Sequence, residues 1–279
     1  MSIDLEPAIE RPLMPDISED GALISEVADV LKHAGRRMLA AFSKQKPVGS
    51  RAVINTIAAN DEISLEALRA GLSKARPTAS WVKDELIGGD LPPGEWWVVD
   101  PVEEAINLVH ELTDWCVTAT LMRENIPVLT VVHLPPTNKI YTAVRGGGSF
   151  LNGEKLDVSI KFDLSAAMVG TGQARPREGA ITHKQIGRSV TEMLERALVV
   201  AVSAPARWQL FQLAAGRTEV FGQFRHVRSG LVAGALLVQK AGGIISDIHG
   251  EPWGLESSNF LAAAPGVHAH AVEVPSAVA

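Results

Sequence analysis

Trp96-Trp97-Val98-Val99-Asp100-Pro101-Val102-Glu103-Glu104-Ala105-Ile106-Asn107-Leu108-Val109-His110 is the stretch around which the fold is read. Its first four residues are bulky and β-branched, which predicts a strand, and acidic residues follow at once. Pro101 removes a backbone donor and bends the path, so a helix is expected to begin just beyond the strand's end. The turn brings Asp100 and Glu103 to one side, where two hard oxygen ligands can converge on one cation. The same letters also make an ordinary helix start, an N-cap with acidic first-turn residues, and on this stretch alone both readings stand.

The chain has 279 residues and a net charge of −6, enough length for a sizeable core. Its single cysteine, Cys116, excludes an internal disulfide framework, fits a reducing compartment and reads as core packing. No apolar stretch approaches bilayer length, and the start Met1-Ser2-Ile3-Asp4-Leu5-Glu6 lacks the basic region of a signal peptide, so a cytoplasmic location is expected. Mild acidity without a basic patch argues against a nucleic-acid partner. The eight histidines, His110, His133, His268 and His270 among them, show no metal-ligand spacing with cysteine.

A loose leader is expected over residues 1–17, then a helix capped by Ser18 and running to about Lys44, with Leu23, Val27, Val30, Leu31 and Ala34 as its apolar stripe. A second helix is expected to follow Asp61 as its cap, with Leu65, Leu68 and Leu72 turned inward. Strands should dominate from Trp96 to Val158, with Pro135-Pro136-Thr137-Asn138-Lys139 as a turn. Beyond that, helices near His183–Arg196, Arg207–Gly216 and Leu231–Ala241 alternate with strands at Leu198–Val202, Glu219–Phe221 and Ile244–Ser246. This predicts a β-rich first half over 18–158, an α/β half over 159–271 in the same unit, and a tail over 272–279, frayed after Val274.

Three segments resemble the inositol monophosphatase family of magnesium-dependent, lithium-sensitive phosphatases. At the corner the family reads Asp-Pro-(Ile/Leu)-Asp-Gly-Thr-(Thr/Ser)-Asn-Phe-Val-His, against Asp100 to His110 here. Tyr141-Thr142-Ala143-Val144-Arg145-Gly146-Gly147-Gly148-Ser149-Phe150-Leu151-Asn152-Gly153 looks like its strand, glycine turn and strand, and is the most specific match. Val232-Ala233-Gly234-Ala235-Leu236-Leu237-Val238-Gln239-Lys240-Ala241-Gly242-Gly243 resembles its late helix and glycine stop. The resemblance spans roughly Ser18 to Pro265 and implies an α/β fold layered as an α/β/α/β/α sandwich, magnesium, a small-molecule substrate and a homodimer.

Carried over position by position, the resemblance implies a weakened magnesium site at Asp84, Glu85, Asp100 and Glu103. Asp84-Glu85 stands where the family has Glu-Glu; its plain alternative is a solvated charge pair. Asp100 matches the metal-bridging aspartate and Glu103 the second one. Asp61 matches the first acidic position, a catalytic candidate that reads equally as a helix cap. Glu104-Ala105 replaces the family's Gly-Thr: alanine has no hydroxyl to activate a water, and Glu104 puts a carboxylate where phosphate would meet backbone N–H groups. Gly230 replaces a metal-ligating aspartate. Arg225, His226 and Arg228 lie just upstream as surface cations or ligand contacts, and Ala204-Pro205-Ala206-Arg207 alters a substrate-contacting turn. Glu104 and Asp61 are thus the catalytic candidates, and Glu104, Ala105 and Arg207 the substrate-binding ones.

Metal-assisted ester hydrolysis needs a Lewis acid, an activated water and a stabilised leaving oxygen, and the altered letters leave chiefly the first. Three functions stay open: a weak or specialised magnesium phosphatase, a repurposed enzyme using Glu104 for acid/base chemistry on another small metabolite, and a noncatalytic binding relative.

Overall fold

In the computed structural model the described residues are 17–41, 47–83, 88–172, 179–203, 207–224 and 228–276. The first apolar stripe becomes α1 (Ile17–Ala41), which buries Val27, Leu31, Ala34 and Met38 at helical spacing. Ser18 stands inside its first turn rather than capping it. The second helix, α2 (Ser50–Ala75), begins twelve residues earlier than the capping role of Asp61 requires, so Asp61 is an interior helix residue. Nothing between Ser50 and Asp61 is a glycine or proline, and propagation past a nucleus costs little, which explains the longer helix. Leu68 and Leu72 are fully buried, with Leu65 half-buried beside them.

The first sheet has seven strands in chain order: β1 (Ser80–Trp81), β2 (Glu95–Glu103), β3 (Cys116–Arg123), β4 (Ile126–Leu134), β5 (Lys139–Val144), β6 (Ser149–Leu151) and β7 (Glu154–Lys155). Only the β1–β2 pairing is parallel. The short helix α3 (Ala105–Val109) joins β2 to β3. Asn152-Gly153 turns β6 into β7 with both residues at positive φ, as a tight hairpin demands. The far end of β2 is anchored by charge: Glu95 accepts from Arg76 and Arg123, and Arg123 is bidentate on Asp20 of α1.

The second sheet orders its strands β11-β12-β10-β8-β9, built from β8 (Met168–Thr171), β9 (Val199–Val202), β10 (Val220–Phe224), β11 (Ile244–Ser246) and β12 (Asn259–Ala263). Around it run α4 (Ala180–Arg196), α5 (Trp208–Ala214), α6 (Arg228–Lys240) and α7 (Pro265–Ser276). β8, β12 and α7 are elements the sequence patterns did not separate; α7 carries the helix to Ser276, into the stretch expected as a tail.

α6 packs against both sheets, which makes it the middle layer. Val232, Ala233, Leu236, Leu237 and Val238 are buried there with Leu210 and Phe211 of α5. A Cβ on Gly234 would lie 2.4 Å from the Leu210 side chain, so glycine is what lets α5 close on α6. The helix stops as its glycine pair predicts: Gly242 is left-handed at φ 93, and Gly243 N–H donates to the Val238 carbonyl at 2.8 Å. With α1 and α2 covering the outer face of the first sheet and α4 and α7 packed on the second, the layering is α/β/α/β/α. Among the described residues no helix is long and apolar enough to cross a membrane.

Candidate functional site

The corner at Pro101 is built by backbone register. β2 does not end at Val99; it continues to Glu103 through an irregularity in its pairing with β3. Asp100 pairs with Thr118 and Glu103 with Cys116, so three steps along β2 match two along β3. The extra residue is a bulge, and Pro101 fits there because it has no N–H to give the ladder. In a regular strand, residues three apart face opposite sides; the bulge restores a common face, and Asp100 and Glu103 point the same way. Both are buried, at 8 % and 2 % exposure. Asp100 Oδ1 also accepts the Val102 N–H at 3.1 Å, which fixes its carboxylate.

Between β2 and α3 the chain passes through Glu104 at φ 61, ψ 48, the left-handed region. A side chain costs energy there that glycine does not pay. Glu104→Gly is therefore expected to raise unfolding free energy by about 1 kcal/mol, read from urea denaturation midpoints. Ala105 follows as the first residue of α3, buried with Met38, Val102, Leu108 and Trp115, so its methyl lies in an apolar cluster.

Facing the two carboxylates is Arg207, just ahead of α5. Its Nη1 lies 2.5 Å from Glu103 Oε2 and 3.5 Å from Asp100 Oδ2, and the side chain is 14 % exposed. Burial pulls the guanidinium pKa down, but the charges of Glu103, Asp100 and Glu104 outweigh it and hold it above its ordinary value. Glu103 Oε1 is buried and, among the described residues, has no hydrogen-bond partner. Burial first, then the carboxylates of Glu103, Asp100 and Glu104, push the Cys116 thiol well up, so this buried residue is an inert neighbour.

The inositol monophosphatase family model matches residues 18–276. The chain belongs to that family. Among its relatives, inositol monophosphatase 2 of Solanum lycopersicum is 27% identical over 240 residues, 84% of this chain and 90% of that protein. The inositol-1-monophosphatase of Rhizobium meliloti (strain 1021) is 28% identical over 245 residues, 86% and 91% of the two chains. In fold, the inositol monophosphatase structure from Anabaena (Nostoc) sp. PCC 7120 superposes with a TM-score of 0.80 over 94% of this chain and 98% of that one, at 18% identity.

For an inositol monophosphatase family member, the test is whether these residues fit the magnesium that the resemblance implies. Among the described residues, as arranged, they do not. The point where Asp100 and Glu103 converge is taken by a guanidinium, and among the described residues no group of three or more His, Cys, Asp or Glu side chains is placed to hold a metal ion. Two other expected ligands, Asp84 and Glu85, lie outside the described residues, as do Ala204, Pro205, Ala206, Arg225 and His226. Arg228 and Gly230 stand in the first turn of α6. What the structure brings together is therefore Asp100, Glu103, Glu104 and Arg207, with Ala105 beside them. Arg207, read from sequence as a substrate contact, lies in ion contact with the carboxylate pair. The signal that could have pointed to this is a pair of readings: this chain has Gly230 where the resemblance implies an aspartate, and Arg207 in a turn where the resemblance implies small residues.

Asp61 shares one face of α2 with Ile57, Ser64 and Leu68, and Ile57 packs on the cluster of Val102, Ala105 and Leu108. Burial raises its carboxyl pKa from 3.8 to about 6. The folded state thus favours the protonated acid, so its stabilising contribution is complete below pH 3.8 and is lost as pH rises through about 6. Asp61→Asn should flatten the stability profile between these limits and, discounting for partial solvent contact, add about 1 kcal/mol at pH 7. Thermal melts across that range check it; a profile unchanged by the substitution places the titration elsewhere.

Proposed function

We propose that this chain is a phosphatase-like protein for a small phosphorylated metabolite in which ester hydrolysis is strongly attenuated. Its family and its relatives named as inositol monophosphatases support the substrate class. The observation that carries the attenuation is Arg207 in ion contact with both Asp100 and Glu103, joined by a buried methyl at Ala105 and a glycine at Gly230. Each missing positioned group costs roughly 10²- to 10⁴-fold in rate. Arg207 remains a fixed positive charge beside Asp100 and Glu103, able to steady a developing negative charge there.

A second reading has its own support: among the described residues the carboxylates of Asp100, Glu103 and Glu104 all act on the Arg207 guanidinium, a concentration of negative charge that opposes a phosphate dianion and favours an uncharged polyol. Glu104, held in a left-handed conformation at the mouth of α3, is then its acid/base group. A phosphate-release screen over inositol, sugar and nucleotide monophosphates separates the two, with Glu103→Ala as control. Slow release abolished by Glu103→Ala supports attenuation. Turnover at an ordinary enzymatic rate, roughly 1–10³ s⁻¹, overturns it. No release, with calorimetric binding of free inositol, transfers the site to the second reading. A homodimer working in the cytoplasm belongs to the same proposal, and light scattering showing a monomer would remove the dimer from it.

A further inference from the structure

We propose that Arg207 is a built-in counter-cation: its guanidinium stands where Asp100 and Glu103 converge, the folded protein binds no magnesium there, and removing Arg207 creates a divalent-cation site. The proposal does not depend on whether the protein hydrolyses an ester.

Two buried carboxylates turned to one side by a β-bulge repel each other and need a positive charge between them. One nitrogen, Arg207 Nη1, reaches both, at 2.5 Å to Glu103 and 3.5 Å to Asp100. A guanidinium is protonated at every pH the fold survives, and it is tethered to α5, so the site carries its cation from the moment of folding. A divalent ion at the same point would meet that charge head-on. The second observation is Glu103 Oε1, buried and, among the described residues, without a hydrogen-bond partner. With the guanidinium gone, that oxygen, Glu103 Oε2 and Asp100 Oδ2 are three hard donors on one face, a set suited to a small divalent cation completed by water.

Magnesium chloride alone is the probe, with full-length wild type, Arg207→Ala and Arg207→Gln melted in chelator and in saturating magnesium. Wild type is expected to shift by less than about 1 °C, and both variants to rise by roughly 5 °C with magnesium, as binding to the folded state alone requires. A wild-type rise as large as the variants' overturns the proposal, and so do variants that fold but ignore magnesium. Should neither variant fold, titration calorimetry of wild type with magnesium chloride decides. A bound ion that Glu103→Gln removes overturns it; no bound ion, or one that this change leaves untouched, supports it.

Discussion

Arg207→Ala is expected to lower unfolding free energy by roughly 3–5 kcal/mol in magnesium-free buffer at neutral pH. The loss comes less from the missing attraction than from what stays behind. Glu103 is 2 % exposed and Asp100 8 %, so once the guanidinium is gone bulk water solvates either carboxylate poorly. The two charges, held on one face by the bulge, would then repel without the guanidinium between them. The same change in a Glu103→Gln background should cost clearly less, because one of the stranded charges is already gone. Urea denaturation of the four proteins of this cycle gives the coupling. A single-variant loss under about 1 kcal/mol would place the pair with exposed surface bridges and undo the picture of a buried charge cluster.

A gain of function is the other large effect. Ala105→Thr with Gly230→Asp returns a hydroxyl and a carboxylate at the positions where the family resemblance implies them, yet on its own this pair should leave phosphate release near the wild-type level. Arg207 would still hold Asp100 and Glu103. Adding Arg207→Ala is expected to raise magnesium-dependent phosphate release by roughly 10²-fold or more, the scale of one restored positioned group. The threonine enters a packed cluster of Met38, Val102, Leu108 and Trp115, so the triple variant should be destabilised and is best assayed at low temperature. The comparison that matters is triple against double. If the double variant already gains activity in full, Arg207 does not obstruct the site.

Much of the architecture was legible because it is written in periodicity. The stripe Val27, Leu31 and Ala34, the turn that opens at Pro135-Pro136 and the Gly242-Gly243 stop each state their conformation locally, and each appears as read. Asp61 failed for a physical reason: an aspartate is a good cap, but the alanine- and isoleucine-bearing segment before it has no signal to stop a helix from starting sooner. The short strands β8 and β12 were missed because a few buried apolar residues look alike in strand and helix. At the site, the convergence of Asp100 and Glu103 was visible in the letters around Pro101. The role of Arg207 was not, since its partners lie more than a hundred residues earlier and only the packing of α5 on α6 delivers it.

The left-handed kink at residue 104 shows where memory resides in this protein. Resemblance places a glycine there; the present glutamate has no preference for such torsion angles, and the chain bends that way regardless, because the strand before it and the helix after it dictate the path. The scaffold's curvature at this point does not depend on the side chain that the position carries. Distant cousins whose reactive letters have all been overwritten should therefore still be traceable by the torsion angles of this one hinge point.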